Sequence, residues 1–316
     1  MFSPSHLLAA TGRQGTRAVA ASVFLGLAVP PLASAAKPLL VPCVLALLVM
    51  SFMRTDVRQL GNVRNALLLA GALVWIMGIL PAALGLIVSH VLPPSDNGVM
   101  LALVLQAAAP PIMSTPAFAV LLGIEASVSL GIMLLALCVV PFSAPLMVSS
   151  FTDGALSLDG LDLALRLGGV LAVSTAGGFG LRAILGTRRI AHYNDHLNGV
   201  NVLLLLVLAV AFMDGVTLRF LAEPMLVIGI AALAAGVSLL AFAATFLLFR
   251  RAGGGQDLML GFAAGNRNLG LLVAATGGLL PDTTWLYVAL AQFPIYLLPY
   301  LLRPLANRLL RVAPKP

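Results

Sequence analysis

A chain of 316 residues that is 60% hydrophobic and only 9% charged, with a mean hydropathy of +1.06, cannot cover itself with a hydrated surface, because soluble domains carry about 25% charged residues. The formal charge of +7 is dispersed, with no basic run longer than Arg188-Arg189 or Arg250-Arg251. A nucleic-acid partner is therefore excluded, since a phosphate footprint needs clustered charge on one face.

Each helix that crosses a bilayer needs roughly 20 apolar residues. Hydropathy places spans, in chain order, at 17–36, 38–53, 65–89, 98–122 and 126–150, then at 161–184, 197–213, 224–249, 256–280 and 284–303. The expected fold is an all-α integral membrane protein of ten transmembrane helices, forming one membrane-embedded unit over 1–316 without a separate soluble domain. Arg13 and Arg17, followed by an apolar stretch and Ala33-Ser34-Ala35, imitate a signal peptide. A second span starting directly after Lys37 argues against cleavage there.

Alternating the ten spans puts Arg13, Arg17, Arg54, Arg58, Arg64, Arg182, Arg188, Arg189, Arg250, Arg251, Arg303, Arg308, Arg311 and Lys315 on one side. Lys37, Arg166 and Arg219 fall on the other, a bias of fourteen to three. By the positive-inside rule both termini are cytoplasmic, in a multi-pass protein of the cell (inner) membrane whose first partner is the lipid bilayer. Cys43 and Cys138 lie in apolar spans and read as buried small hydrophobes, while His6, His90, His192 and His196 fall at termini or loops. No metal site and no cofactor is expected from them.

Five spans precede the loop at 153–162 and five follow it. With an odd number per half, equivalent halves must be inserted in opposite orientations, the plan of two inverted five-helix repeats (about 17–150 and 161–303) found in many secondary transporters. The fourth span of each half carries an interruption. In span four the helix-break residues are Pro110 and Pro111, with Pro116 a turn later; each removes a backbone donor and crowds the preceding turn. In span nine the sequence Gly265-Asn266-Arg267-Asn268-Leu269-Gly270 sets three polar side chains between apolar stretches. Paired interruptions of this kind point to a transport site near the midplane.

Arg267 costs about 2.5–3.5 kcal/mol at the centre of a span and cannot shed its charge. The carboxylates all fall at or near loops, with Glu125 and Asp257 best placed to approach the interior. The expected role of Arg267 is to bind a small anionic solute, by charge a carboxylate, with Asn266 and Asn268 adding hydrogen bonds. The competing role is a structural arginine on carbonyls bared at the span-four break. Gln106, Ser114 and Thr115 of span four complete the expected substrate site, with Gln292 of span ten a further polar residue in mid-span. No paired aspartates, serine–histidine pair or His-Glu-x-x-His helix lies in the spans, so an enzyme is not expected. A channel or a non-transporting sensor is the alternative from another class.

The ten spans, the Ala109-Pro110-Pro111 break and the Gly265-to-Gly270 break together resemble the bile acid:sodium symporter superfamily. The resemblance implies that helices 4 and 9 are discontinuous and cross in a core domain, which moves against a panel domain to carry organic anions. Sodium-coupled members typically carry Ala-Pro-Gly-Gly-x-x-Ser-Asn in the fourth helix, where this chain reads Ala109-Pro110-Pro111-Ile112-Met113-Ser114-Thr115-Pro116. In the ninth helix, the family's glutamate and glutamine positions hold Ala263 and Arg267. The resemblance so modified implies transport by alternating access without the usual two sodium sites, Arg267 standing in for a bound cation. The alternative within the superfamily is a sodium- or proton-coupled symporter of bile-acid-like or other carboxylates.

Overall fold

The computed structural model describes residues 15–55, 66–152 and 159–312. His6, Arg13, Asp56, Arg58, Arg64, Asp153 and Lys315 lie outside the described residues. The described chain is helical throughout, with no strand; its only extended pairing is a bridge between Pro111 and Arg267.

The elements in chain order are α1 (Gly15–Ala28), α2 (Pro30–Ala36), a 3₁₀ turn (Lys37–Leu39), α3 (Leu40–Arg54), α4 (Ala66–Val74), a π segment (Trp75–Ile79), α5 (Leu80–Leu86) and a second π segment (Ile87–Val91). There follow α6 (Asn97–Ala108), α7 (Thr115–Leu121), α8 (Ser127–Phe151), α9 (Gly160–His192), α10 (Asn194–Phe212) and α11 (Val216–Ala222). The last four are α12 (Pro224–Leu248), α13 (Gln256–Gly265), α14 (Leu269–Thr276) and α15 (Asp282–Val312).

Among the described residues six helical stretches are long and apolar enough to cross a membrane: Pro30–Arg54, Ala66–Val91, Ser127–Phe151, Gly160–Leu185, Asn194–Ala222 and Pro224–Leu248. The chain is thus a multi-pass membrane protein of the all-α class. Two of the other expected spans, 98–122 and 256–280, are each broken into two short helices, α6–α7 and α13–α14.

The first boundary differs from the sequence expectation. The break falls at Val29, not near Lys37, and the helical run from Pro30 continues through Lys37 to Arg54. The cause is local: a residue before proline is steered out of the helical region, and Val29 has φ −126° and ψ 74°. Pro30 then occupies the first turn of α2, where its missing N–H costs nothing. Cys43 is buried as expected, but Cys138 is exposed on α8.

The chain divides into two compact units, residues 1–55 with 168–230 and residues 56–167 with 231–316. In the first, α10 packs on α1 closely enough that a Cβ at Gly26 would meet Met213 Cβ at 2.9 Å. Gly178 of α9 likewise lies against α3, where a Cβ would be 2.7 Å from Val49 O. At the turn after α10, Asp214 accepts from Ser34 Oγ at 2.6 Å and pairs with Lys37 Nζ at 2.8 Å. In the second unit the second interrupted pair is enclosed by protein: every residue of α14, and all but Asp257 of α13, is buried. By contrast only 22% of the window in Gly160–Leu185 is buried. Irregular backbone at membrane depth survives only where protein or a watery cavity takes the place of lipid.

Candidate functional site

The interruption in α6–α7 follows from its prolines. Ala109, preceding Pro110, takes φ −61° and ψ 145°, so α6 ends at Ala108. The helix resumes after Ser114, with Pro116 in the first turn of α7. In the second interruption Asn266 is extended, at φ −107° and ψ 101°. Asn268 then caps α14, its Oδ1 accepting from the Leu271 N–H at 3.2 Å.

The two extended stretches run antiparallel and bond to each other. The Ile112 N–H donates to Asn266 O at 3.0 Å, and the Asn268 N–H donates to Pro110 O at 2.8 Å. Pro111 faces Arg267 at a position where neither residue's N–H is used in the ladder. Two adjacent prolines therefore cost this crossing no hydrogen bond. Close approach is set by Gly265, where a Cβ would fall 2.7 Å from Ser238 O and 3.0 Å from Phe242 Cβ on α12. On α7 and α13 the rings of Phe118 and Phe262 stack at 4.5 Å, fastening one half-helix to the other.

Arg267 lies at the crossing, 3% exposed. Its Nε–H donates to Ala264 O at 2.8 Å, Nη1 to Ala109 O at 2.9 Å, and Nη2 to Ile76 O at 3.0 Å. Met77 Sδ, 3.9 Å from Nη1, is a fourth and weaker partner. These contacts occupy four of the five guanidinium N–H donors. Two of the three carbonyls belong to the C-terminal ends of α6 and α13, where unpaired acceptors and the negative pole of the helix dipole favour a cation.

The third carbonyl is freed by a proline that sequence reasoning missed. In the π segment the Leu80 N–H bonds back to Trp75 O, not to Ile76 O. The next residue, Pro81, has no N–H to offer. Ile76 O is thus left without a helical donor and accepts from Arg267. A proline within an apolar span was the available signal, but the donor that takes the freed Ile76 O lies 191 positions away.

Among the described residues no carboxylate pairs with Arg267. Glu125 is exposed and accepts from Ser127 Oγ at 2.8 Å, while Asp257 accepts from the Leu258 N–H at 2.8 Å. Asp96, the N-cap of α6, accepts from the Gly98 N–H and from Thr283 Oγ. The crossing therefore holds a fixed positive charge whose partners are all neutral.

The remaining expected site residues are distributed around it. Asn266 is fully buried and continues the crossing strand; its Nδ2 donates to Phe262 O at 3.4 Å, and its Oδ1 has no partner. Gln106, 3% exposed, donates from Nε2 to Ser238 Oγ at 3.0 Å, and its Oε1 also lacks a partner. Thr115 is buried with its hydroxyl on Ile112 O at 2.7 Å. Ser114 is exposed and Asn268 half-buried. Gln292 is buried and donates to Val288 O in its own helix, at 3.0 Å. Sequence reasoning also missed Ser238, which joins α12 to the site through Gln106. Among the described residues no group of three or more His, Cys, Asp or Glu side chains could hold a metal ion.

No protein-family model matches the chain, and no curated protein matches it.

Proposed function

We propose that this protein is a secondary transporter of a small organic anion, working by alternating access, with the crossing of the two interrupted helices as its transport site. The observation that carries this reading is the enclosed antiparallel bridge Pro111–Arg267, which holds a guanidinium and no carboxylate. Interrupted helices concentrate free backbone donors and acceptors at mid-membrane, where solutes and coupling ions are bound. Arg267 makes the local field attractive to an anion and repels a cation. Ser114, Asn268, Asn266, Thr115 and Gln106 supply hydrogen bonds, Ser114 being the most accessible.

On this reading the chain has ten spans in two inverted repeats and is a divergent member of the bile acid:sodium symporter superfamily. Support comes from the division into compact units. The first unit takes the first two expected spans of the first half, and most of the first and all of the second of the other half. The second unit takes the fourth and fifth of each, with the third of the first half and most of the third of the other. A panel and a core drawn symmetrically from two repeats would divide in the same way. The reading also keeps both termini cytoplasmic, on the positive-inside bias.

Arg267 serves on this reading as a built-in cation. Carbonyls that could ligate a metal ion instead accept from the guanidinium, and the position of the family's glutamate is Ala263, fully buried. Transport is therefore independent of sodium. Counterflow into proteoliposomes, with a panel of carboxylates and sulfonates in sodium or choline buffer, tests both parts. Exchange of at least one organic anion at equal rates in the two buffers is expected. Strong sodium dependence would overturn the built-in cation, and no exchange of any anion would overturn the transport reading.

A further inference from the structure

The turn joining α9 to α10 has chemistry that the crossing does not use. The apolar part of α9 ends at Leu185 and the next membrane-length stretch begins at Asn194. Residues 186–193 thus join two membrane-length stretches, which puts them at a membrane surface. Gly186, at φ 76° and ψ 149°, redirects the chain as it leaves the apolar span, a conformation that glycine adopts without steric cost. One turn later Ile190 is buried and anchors the segment, while Arg188, Arg189, His192 and Tyr193 are exposed. These four side chains line one concavity of about 410 Å³, within the size range of small-ligand sites.

The walls of this concavity are held by ring contacts. Tyr193 meets His192 edge-on at 4.8 Å and His196 at 5.8 Å. The same end of this compact unit carries Arg54, which donates to Asn198 Oδ1 at 2.9 Å, and Arg182, which donates to Met53 O at 3.2 Å. Two of the Arg54 donor atoms, Nε and Nη2, are buried without a partner, as is His196 Nδ1. The nearest carboxylate in sequence, Asp195, is exposed and sets one negative charge against these arginines.

We propose that Arg188, Arg189, His192 and Tyr193 form a binding site for the phosphate of an acidic phospholipid headgroup. The two guanidinium groups present planar donors that match phosphate oxygens, and the tyrosine offers an amphipathic ring of the kind that settles at the membrane interface. A basic recess at the ends of spans meets lipid phosphate at very high local concentration, which selects lipid over a soluble phosphate.

The test is lipid titration of the purified full chain by native mass spectrometry, with phosphatidylglycerol and phosphatidylcholine as probes. Preferential retention of phosphatidylglycerol is expected. Each interfacial arginine is worth roughly five-fold, so Arg188→Gln with Arg189→Gln lowers that affinity about 30-fold, while Arg188→Lys with Arg189→Lys, which keeps the charge but not the planar fork, loses less. Arg250→Gln with Arg251→Gln, an exposed basic pair elsewhere, leaves it unchanged. Equal retention of both lipids by the unmodified chain overturns the proposal, as does an equal loss in the 250/251 variant. Displacement of the lipid by inorganic phosphate at matched concentration assigns the recess to a soluble anion and overturns the lipid assignment. If the double glutamine variant does not fold, Arg189→Gln alone carries the comparison, with a loss of about five-fold.

Discussion

Arg267→Ala is the most informative perturbation of this molecule. It removes three hydrogen bonds to backbone carbonyls, at 2.8, 2.9 and 3.0 Å, and leaves those carbonyls in an enclosed site. Each orphaned buried acceptor costs about 1–3 kcal/mol, so the sum is about 3–9 kcal/mol, against a total stability of order 5–15 kcal/mol. At roughly 2–4 °C per kcal/mol, the melting temperature falls by at least about 6 °C. Arg267→Lys recovers only part of this, because a single ammonium cannot span three carbonyls set around a planar fork. The hole left by alanine matches a free guanidinium ion. Low-millimolar guanidinium should therefore raise the melting temperature of Arg267→Ala in detergent, through mass action on the folded state. Urea at the same concentration should not. A melting temperature within about 2 °C of the parent, with no response to guanidinium, would refute the assignment of Arg267 as the tie of the crossing.

Three further substitutions test how the crossing is built. Gly265→Ala drives a Cβ to within 2.7 Å of Ser238 O; overpacking of this kind costs about 1–3 kcal/mol, so thermal stability and uptake both fall. Gly236→Ala, with open space around its Cβ, should leave both unchanged in the same assays. Pro81→Ala restores an N–H that competes with Arg267 for Ile76 O, and should cost about 1–2 kcal/mol in thermal unfolding and reduce uptake. Gln106→Leu loses the 3.0 Å bond to Ser238 but also removes an unpartnered Oε1, so stability changes by about 1 kcal/mol or less. If Gln106 contacts the solute, counterflow nevertheless drops severely, whereas unchanged counterflow would make it a structural residue only.

What could be read from the sequence was what depends on neighbours along the chain. Pro110 and Pro111 cannot continue a helix, so the break in the fourth expected span was legible from the residue types alone. The polar run at 265–270 marked the second break in the same way. Bared backbone is not tolerated in lipid, so either protein or a watery cavity was required around both breaks. The competing role of Arg267 named the carbonyls at the span-four break, and Ala109 O is one of its acceptors; Ile76 O, 191 positions away, was not legible. The first helix boundary lies at Val29, not at the charge of Lys37, because Pro30 governs the backbone one residue earlier. A lysine at an interface does not bend a helix; a proline constrains the residue before it.

The choice of arginine at position 267 follows from the shape of the crossing. Two half-helices end together there, and each leaves carbonyls with no helical donor. A third carbonyl is added by the π segment before Pro81. Three acceptors around one point, with no N–H available from the adjacent prolines, form a cage that needs donors and suits a cation. A metal ion would satisfy it but could leave, and its departure would loosen the crossing. A guanidinium tethered at Cα cannot leave, so this crossing stays tied whatever ions surround the protein. On the proposed transport reading, ion binding at these three carbonyls cannot supply the driving force, which then comes from the solute's own gradient, from exchange against a second anion, or from a proton taken up elsewhere in the chain.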